Sequence, residues 1–308
     1  MKNIDIFAHV LPPRFYERML KVEPSLPQRF PFIQHPLLQD MEARRDKWDG
    51  VTQQVISAVN VNPEDYVEPE EAAALCRVCN TELAQMVDQE SDMFAAAVAM
   101  VPLNHIPATL TIMEELAQDP HFLGIQLFTR HLGKSLADPD FDPVFQAAER
   151  LGLGIWLHPV FDERKPDNNI VFSWEYELSQ TMLELVQADL FQKYPDLVVL
   201  VHHAGAMAPY FAGRIDHVLR EQESSDMRKF YVDTALLGNP KALDLTVDFY
   251  GADRVLLGTD APLGIAPTGA TMEILEAISD IDLSASDREK ILSVNARELF
   301  SKLEGIES

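Results

Sequence analysis

The chain has 308 residues, of which 47% are hydrophobic and 24% are charged, the balance of a globular protein with an ample core. Its 49 acidic and 25 basic residues give a formal net charge of −24, a field that repels nucleic acid and anionic membranes. The longest apolar runs, such as Phe94–Leu103, are about half as long as a membrane span. No secretory signal precedes the first apolar segment, so we expect a cytoplasmic protein.

Eight short runs of β-branched or other apolar residues, each closed by turn or polar residues, predict eight strands. In chain order they are Ile4–Val10, Thr52–Val59, Phe94–Leu103, Leu123–Phe128, Gly154–Val160, Leu197–His203, Phe230–Leu236 and Val255–Asp260. Segments with helical periodicity lie between most of them, at Glu70–Gln89, Pro107–Gln118, Val144–Leu151, Trp174–Gln192 and Gly264–Ile281. This alternation, with no break in composition, predicts one α/β domain over residues 1–308, folded as a (β/α)₈ TIM barrel.

Two connections are longer than a barrel requires. Residues 11–49 predict an insertion after the first strand, a loop followed by a helix over Met41–Asp49. The polar segment Phe161–Ser173 is predicted to form a flap over the barrel mouth, because barrels place function in the loops that follow their strands. An open doubly wound sheet is disfavoured, since His9-Val10-Leu11-Pro12-Pro13 lacks the glycines of a phosphate-binding loop.

Four ionisable side chains lie at the C-terminal ends of predicted strands, where TIM barrels place their catalytic groups: His9, His158, His203 and Asp260. Imidazole and carboxylate groups suit zinc, manganese or iron. Histidines that merely fill a core would be scattered along the strands, so this distribution predicts one shared site. His202 and His203 are adjacent, and strand alternation predicts that one faces the barrel and the other packs against helices.

Four segments resemble the signatures of a known enzyme family: Ile4-Asp5-Ile6-Phe7-Ala8-His9, Trp156-Leu157-His158-Pro159, Val201-His202-His203-Ala204-Gly205-Ala206 and Leu257-Gly258-Thr259-Asp260-Ala261-Pro262. They resemble the amidohydrolase superfamily, and within it the amidohydrolase-2 branch that includes aminocarboxymuconate-semialdehyde decarboxylase. The resemblance extends over nearly the whole chain, to Asn295-Ala296-Arg297-Glu298-Leu299-Phe300. It implies that His9, His158 and Asp260 are metal ligands and that His203 handles the proton of the reaction.

The resemblance also implies a substrate that carries a carboxylate. Arg214 matches an arginine that reaches this carboxylate, in some members from a neighbouring subunit, so we expect a homo-oligomer, most simply a dimer. Arg44 resembles a second carboxylate-binding arginine. Two alternatives stay open for this second position: Arg45 is the true match, or Arg44 is an exposed arginine in a charged helix.

The chain departs from the family pattern at its first signature. Related chains have His-x-His or Glu-x-His there, whereas this chain has Phe7-Ala8-His9, and phenylalanine cannot bind a metal ion. Asp5 shares the same strand face but lies two residues, roughly 6.6 Å, deeper, so we do not expect it to replace the ligand. Three protein ligands and a water still make a workable zinc site. Weaker metal retention, a different metal and a metal-free protein are the alternatives.

The resemblance implies a metal-dependent, non-oxidative decarboxylase of a small unsaturated or aromatic carboxylic acid. Zinc is the expected ion, with manganese or iron as alternatives, and Asp260 is expected to serve both as ligand and as proton acceptor. The first alternative function is hydrolysis of a lactone, ester or amide at the same site. The second is a non-catalytic, ligand-binding barrel that has lost its metal.

Overall fold

The structure is a computed structural model that describes residues 2–160 and 168–303. Its strands are β1 (Asn3–Val10), β2 (Thr52–Ala58), β3 (Phe94–Met100), β4 (Phe122–Phe128), β5 (Arg130–His131), β6 (Lys134–Ser135), β7 (Gly154–His158), β8 (Val199–Val201) and β9 (Tyr231–Val232). Seven of them form one parallel sheet in the order β1-β2-β3-β4-β7-β8-β9, while β5 and β6 form a short antiparallel hairpin.

Residues 255–261 close this sheet on itself. On one side, the amide of Leu256 donates to the carbonyl of Val232 at 2.8 Å. On the other side, the amide of His9 donates to the carbonyl of Ala261 at 2.7 Å. Both contacts belong to parallel bridges, so eight parallel segments surround one axis. The TIM-barrel prediction is confirmed, although the eighth segment pairs too briefly to form a regular strand.

The helices follow the strands, and the longer ones lie outside this ring, where their apolar faces cover it. They are α1 (Pro13–Val22), α2 (Leu26–Arg29), α3 (Met41–Arg45), α4 (Pro69–Gln89), α5 (Ile106–Gln118), α6 (Asp142–Leu151), α7 (Ser173–Gln187), α8 (Leu190–Lys193), α9 (His202–Gly205), α10 (Ala212–Val218), α11 (Glu221–Asp226), α12 (Pro240–Tyr250), α13 (Thr271–Asp280), α14 (Ala285–Glu289) and α15 (Asn295–Leu299). The insertion predicted after the first strand contains α1, α2 and α3. No helix among the described residues is long and apolar enough to cross a membrane.

The predicted flap falls partly on residues 161–167, which lie outside the described residues. Its last residue, Ser173, is the first residue of α7 rather than part of a loop. The flap therefore stays a prediction.

The N-terminal end of the barrel is filled by side chains. Trp156 is buried within it, and its indole N–H donates to the carbonyl of Ile6 at 2.9 Å. Phe300, just beyond α15, stacks on this indole with ring centroids 5.1 Å apart, and Leu303 is buried beside them in the same cluster. Because this end is plugged by packed apolar groups, polar chemistry is confined to the opposite end, where the strands finish.

Candidate active site

Four imidazole rings and one carboxylate meet at the C-terminal end of the barrel. The His158 ring centroid lies 5.2 Å from that of His9, 5.2 Å from that of His202 and 6.2 Å from that of His203. The Nε2 atom of His9 lies 3.2 Å from an oxygen of Asp260. The four residues that the sequence predicted to meet therefore lie together, and His202 joins them.

His9 is held between two neighbouring segments of the barrel. Its Nδ1 lies 3.1 Å from the hydroxyl of Ser57 on β2, and its Nε2 faces Asp260. Asp260 has a left-handed backbone, with φ of +62°, and its amide donates to the carbonyl of Phe7 at 2.8 Å. Strained backbone of this kind is concentrated at functional sites, because surrounding structure must enforce it.

His158 is oriented by the chain that follows it. Its Nδ1 lies 2.6 Å from the carbonyl of Pro159, and a carbonyl only accepts, so Nδ1 carries the hydrogen and Nε2 keeps a lone pair. The side-chain amide of Asn60 donates to the same carbonyl at 3.2 Å. Burial, followed by the nearby His9, lowers the pKa of His158 well below its ordinary value. The ring is therefore neutral, which is the form that binds metal ions.

The structure corrects one prediction about the histidine pair. Strand β8 ends at Val201, and the chain then turns through left-handed conformations, with φ of +54° at His203 and +56° at Ala204. Side-chain alternation holds only while the chain stays extended. Both rings consequently reach the site, and the prediction that one of them packs against helices is wrong.

Each of these two histidines is paired with a carboxylate that the sequence did not indicate. His202 Nδ1 lies 2.8 Å from Asp233 Oδ2, with both side chains fully buried, and His203 Nδ1 lies 2.8 Å from Glu175 Oε1. Burial lowers the pKa of His202 well below its ordinary value. Burial also acts to lower the pKa of His203, but the Glu175 carboxylate outweighs it and raises that pKa to about 9. His202 is therefore neutral and His203 is protonated at neutral pH.

Of these two carboxylates, only Asp233 could have been identified as a candidate site residue from the sequence. Asp233 interrupts the apolar run Phe230–Leu236 just past a strand, which is a signal that could have found it. Its pKa is raised to about 6 by burial. Glu175 is one of many acidic residues on helices and carries no comparable signal.

Phe7 and Asp5 occupy the inner face of β1 below His9. The Phe7 ring stacks on His202, with centroids 3.5 Å apart and planes at 18°. One oxygen of Asp5 accepts hydrogen bonds from the amides of Phe7 and Thr259, and the other accepts from the Thr259 hydroxyl at 2.6 Å. These bonds tie β1 to the eighth segment of the barrel. Burial raises the pKa of Asp5 to about 7, although the bonds from Thr259 act against it.

The donor set fits a metal ion in part. Ligands about 2.1 Å from one zinc ion lie roughly 3.0–3.5 Å apart, which is the separation of His9 Nε2 and Asp260 Oδ1. His158 presents a free lone pair nearby. As placed, however, the described side chains include no group of three or more His, Cys, Asp or Glu that could hold a metal. An ion must therefore draw at least one further donor inward.

Arg44 lies beneath the site and contacts protein acceptors. Its Nη1 donates to the carbonyls of His9 and Leu37, at 2.6 and 3.1 Å, and its Nε and Nη2 donate to the Gln54 side chain. The residue is 5% exposed, so the alternative of an exposed helix arginine is wrong. Arg45, the other open match, forms ion pairs with Glu90 and Asp92 at the surface. Carboxylate binding by Arg44 stays a prediction.

Arg214 lies on α10, which follows the left-handed turn after β8. Its side chain is exposed, and it forms no hydrogen bond or ion pair with another described residue. Tyr210 and Phe211, just before this helix, are exposed aromatic residues in edge-to-face contact. Within one chain, no contact between described residues therefore brings Arg214 into the histidine cluster.

Comparison with known proteins decides the family. A family model described as amidohydrolase matches residues 6–302. The chain belongs to the amidohydrolase family. It is 25% identical to 6-methylsalicylic acid decarboxylase of Penicillium expansum, over 99% of this chain and 98% of that protein. It is 27% identical to 2-amino-3-carboxymuconate-6-semialdehyde decarboxylase of Dictyostelium discoideum, over 82% of this chain and 73% of that protein.

A solved structure supports the same assignment of fold. The chain matches 5-carboxyvanillate decarboxylase of Novosphingobium aromaticivorans, a structure with bound manganese, with a TM-score of 0.82 and 20% identity. The match covers 97% of each chain. The predicted membership of the amidohydrolase-2 branch is confirmed by the family match over residues 6–302.

Proposed function

We propose that this chain is a metal-dependent, non-oxidative decarboxylase of small aromatic or unsaturated carboxylic acids. The observation that carries the proposal is the meeting of His9, His158, His203 and Asp260 at the mouth of an amidohydrolase barrel whose relatives are decarboxylases. Hydrolysis of a lactone, ester or amide is the alternative, and the test below separates the two.

Aromatic side chains beside the cluster suit a flat substrate. The ring of Phe128 lies 5.8 Å from that of His158, and the indole of Trp174 lies 6.1 Å from it on another element. The Trp174 indole is also nearly parallel to the His203 ring, at 20°. A planar acid between such walls gains contact area and is held with its reacting carbon near the imidazoles.

His9, His158 and Asp260 are the residues that would hold the ion, which is zinc by expectation or manganese as in the solved relative. When bound, a divalent ion supplies Lewis-acid polarisation of the substrate and stabilises the negative charge that develops in the reaction. The neutral His158 ring is already in the protonation state that such binding requires.

His203 is the proton donor in this proposal. Decarboxylation breaks the bond between the ring carbon and the carboxylate, releases CO₂ and leaves an electron pair that must take up one proton. His203 carries that proton at neutral pH because Glu175 holds its Nδ1–H. Transfer from Nε2 to the carbon leaves a neutral imidazole, which regains its proton from solvent.

Arg214 is proposed to bind the substrate carboxylate from the partner subunit of a homodimer. The proposal is supported by its exposure and by the exposed aromatic pair Tyr210 and Phe211, which are the kind of residues that anchor protein interfaces. Analytical ultracentrifugation of the purified chain tests the dimer directly. A monomer that turns over substrate at full rate would exclude this role.

The test of function is CO₂ release from a panel of acids: 6-methylsalicylate, 2,6-dihydroxybenzoate and 5-carboxyvanillate. We expect turnover of at least one acid, its loss after chelation, and its return with zinc or manganese. His203→Asn should abolish turnover while the protein remains folded. Hydrolysis of lactones or esters without CO₂ release from any acid would replace this proposal with the alternative, and metal-independent CO₂ release would refute it.

A further inference from the structure

The inner face of β1 provides one metal-binding side chain instead of two. Phe7 fills the position next to His9, with its ring centroid 5.0 Å from that of His9 and 5.5 Å from that of His158. It is buried and carries no lone pair. The site therefore needs a donor from another element if it is to reach the usual number of protein ligands.

His202 has a buried nitrogen without a partner. Its Nδ1 faces Asp233 Oδ2, while Asp233 Oδ1 accepts hydrogen bonds from the amides of Ala204 and Ala235, both at 2.9 Å. The carboxylate is thus fixed as an acceptor, so Nδ1 carries the hydrogen and Nε2 carries a lone pair. Among the described residues Nε2 has no hydrogen-bond partner, although the side chain is fully buried. A buried polar atom in this state costs about 1–3 kcal/mol.

The spacing of two of the ring pairs matches shared coordination. Because the described side chains as placed include no group of three donors around one point, His202 must shift toward the ion when it binds. An imidazole centroid lies roughly 3.2 Å from a zinc ion bound through Nε2, so two such rings at a tetrahedral angle have centroids roughly 5.2 Å apart. The distance from His158 to His9 is 5.2 Å, and that from His158 to His202 is also 5.2 Å. Nδ1 of His202 meanwhile contacts a carboxylate, which is the arrangement that orients metal-binding histidines in proteins.

His203 does not compete for this role. Its Nδ1 contacts Glu175, its side chain is 12% exposed, and its ring is 6.2 Å from that of His158. It lies beside Trp174 at the mouth, where a substrate arrives. Its position suits contact with the reacting molecule, whereas the position of His202 suits a fixed buried ligand.

We propose that Nε2 of His202, oriented by Asp233, is the metal ligand that replaces the donor missing at Phe7. The ligand set is then His9, His158, His202 and Asp260. The inference rests on the proposed metal dependence and names a residue of this chain that the family signatures do not assign. Phe7 acts as the apolar surface against which the His202 ring is held flat.

The first test uses the unaltered protein. X-ray absorption of the zinc-loaded chain counts coordinated imidazoles, and we expect three. Two imidazoles would overturn the proposal while leaving metal dependence intact. Failure of the chain to bind zinc, manganese or cobalt at all would refute the proposed metal dependence itself.

The second test measures affinity for Co²⁺ by calorimetry and its absorption spectrum in metal-stripped protein. In His202→Asn, the amide can still donate to Asp233, but the ligand atom is gone. We expect Co²⁺ binding to weaken at least about 100-fold, because loss of an outer partner alone costs 10- to 100-fold. His203→Asn is the matched control, and it should keep Co²⁺ affinity within a few-fold of the unaltered chain.

A rescue variant separates ligand loss from misfolding. Phe7→His combined with His202→Asn returns a donor to β1, so it should bind Co²⁺ more tightly than His202→Asn alone. His202→Asn that is folded and keeps the Co²⁺ affinity and spectrum of the unaltered protein would overturn the proposal. So would a folded double variant that binds no better than the single one.

Discussion

Replacing Arg44 by methionine tests whether this buried arginine stabilises the fold or binds the substrate carboxylate. The substitution keeps most of the side-chain volume and removes every donor. The carbonyls of His9 and Leu37, two buried residues, now accept from Nη1 at 2.6 and 3.1 Å and would lose this partner. The Gln54 oxygen would lose two further hydrogen bonds.

The expected loss of stability can be estimated from the carbonyl groups that lose their hydrogen-bond donor. Each buried carbonyl left unpaired costs about 1–3 kcal/mol, so two of them cost about 4 kcal/mol together. For a chain of 308 residues this corresponds to a fall in melting temperature of roughly 6 °C. Loss of the contact with the His9 carbonyl should also displace His9, so kcat should fall more than KM rises.

The assay is urea and thermal unfolding followed by circular dichroism, together with steady-state kinetics on an acid from the proposed panel that the unaltered chain turns over. Arg45→Met is the matched control, because Arg45 pairs with Glu90 and Asp92 at the surface, where solvent screens ion pairs and they contribute little to stability. Unchanged stability of Arg44→Met, combined with a large rise in KM at constant kcat, would refute the structural argument. That result would favour direct binding of the substrate carboxylate.

Three further predictions follow from charges near the site. Asp5 has a pKa of about 7 in the folded chain against an ordinary value of 3.8, so between these values the native state holds a proton that the unfolded chain releases. The free energy of unfolding should therefore fall by up to about 1.4 kcal/mol per pH unit as the pH rises from 5 to 7. Asp5→Asn should flatten this slope in urea titrations, and an unchanged slope would mean that other groups cause it. Glu175→Gln should lower the pKa of His203 and move the alkaline limb of kcat to lower pH, whereas an unmoved limb would separate His203 from the proton step. Arg214→Ala should raise KM roughly 10-fold or more without loss of stability. His217→Ala, at an exposed position on the same helix, is the control, and an equal effect of both substitutions would show that Arg214 does not bind the substrate.

The barrel and the location of its mouth were predictable because they depend on local patterns. Apolar runs such as Phe94–Leu103 and the helical stretch Glu70–Gln89 define elements, and alternation of such elements permits few topologies. The ends of parallel strands meet at one edge of the sheet whatever the details of packing. The convergence of His9, His158 and Asp260 follows from this topology alone.

The partners of these groups were not predictable, because they depend on where the chain leaves the regular strand. Strand alternation continued to His203 would separate the two rings, yet β8 ends at Val201 and the left-handed turn redirects both of them. On β1, the register with β2 shifts between Asp5 and Ala8. Hydrophobic periodicity predicts neither a turn at a histidine nor a shift of register.

Phe7 and His202 are best understood as one structural change. A histidine at position 7 would place another buried imidazole against His202, and its nitrogens would need partners within a cluster that is already short of them. Phenylalanine packs on the flat face of His202 and demands no hydrogen bond, so Asp233 needs to orient only one ring. If His202 is the replacement ligand, substitutions at the two positions must be coupled: the double variant should bind metal better than the sum of the two single effects allows. Additive effects would mean that the two residues contribute independently to metal binding and that the contact between the Phe7 and His202 rings serves packing alone.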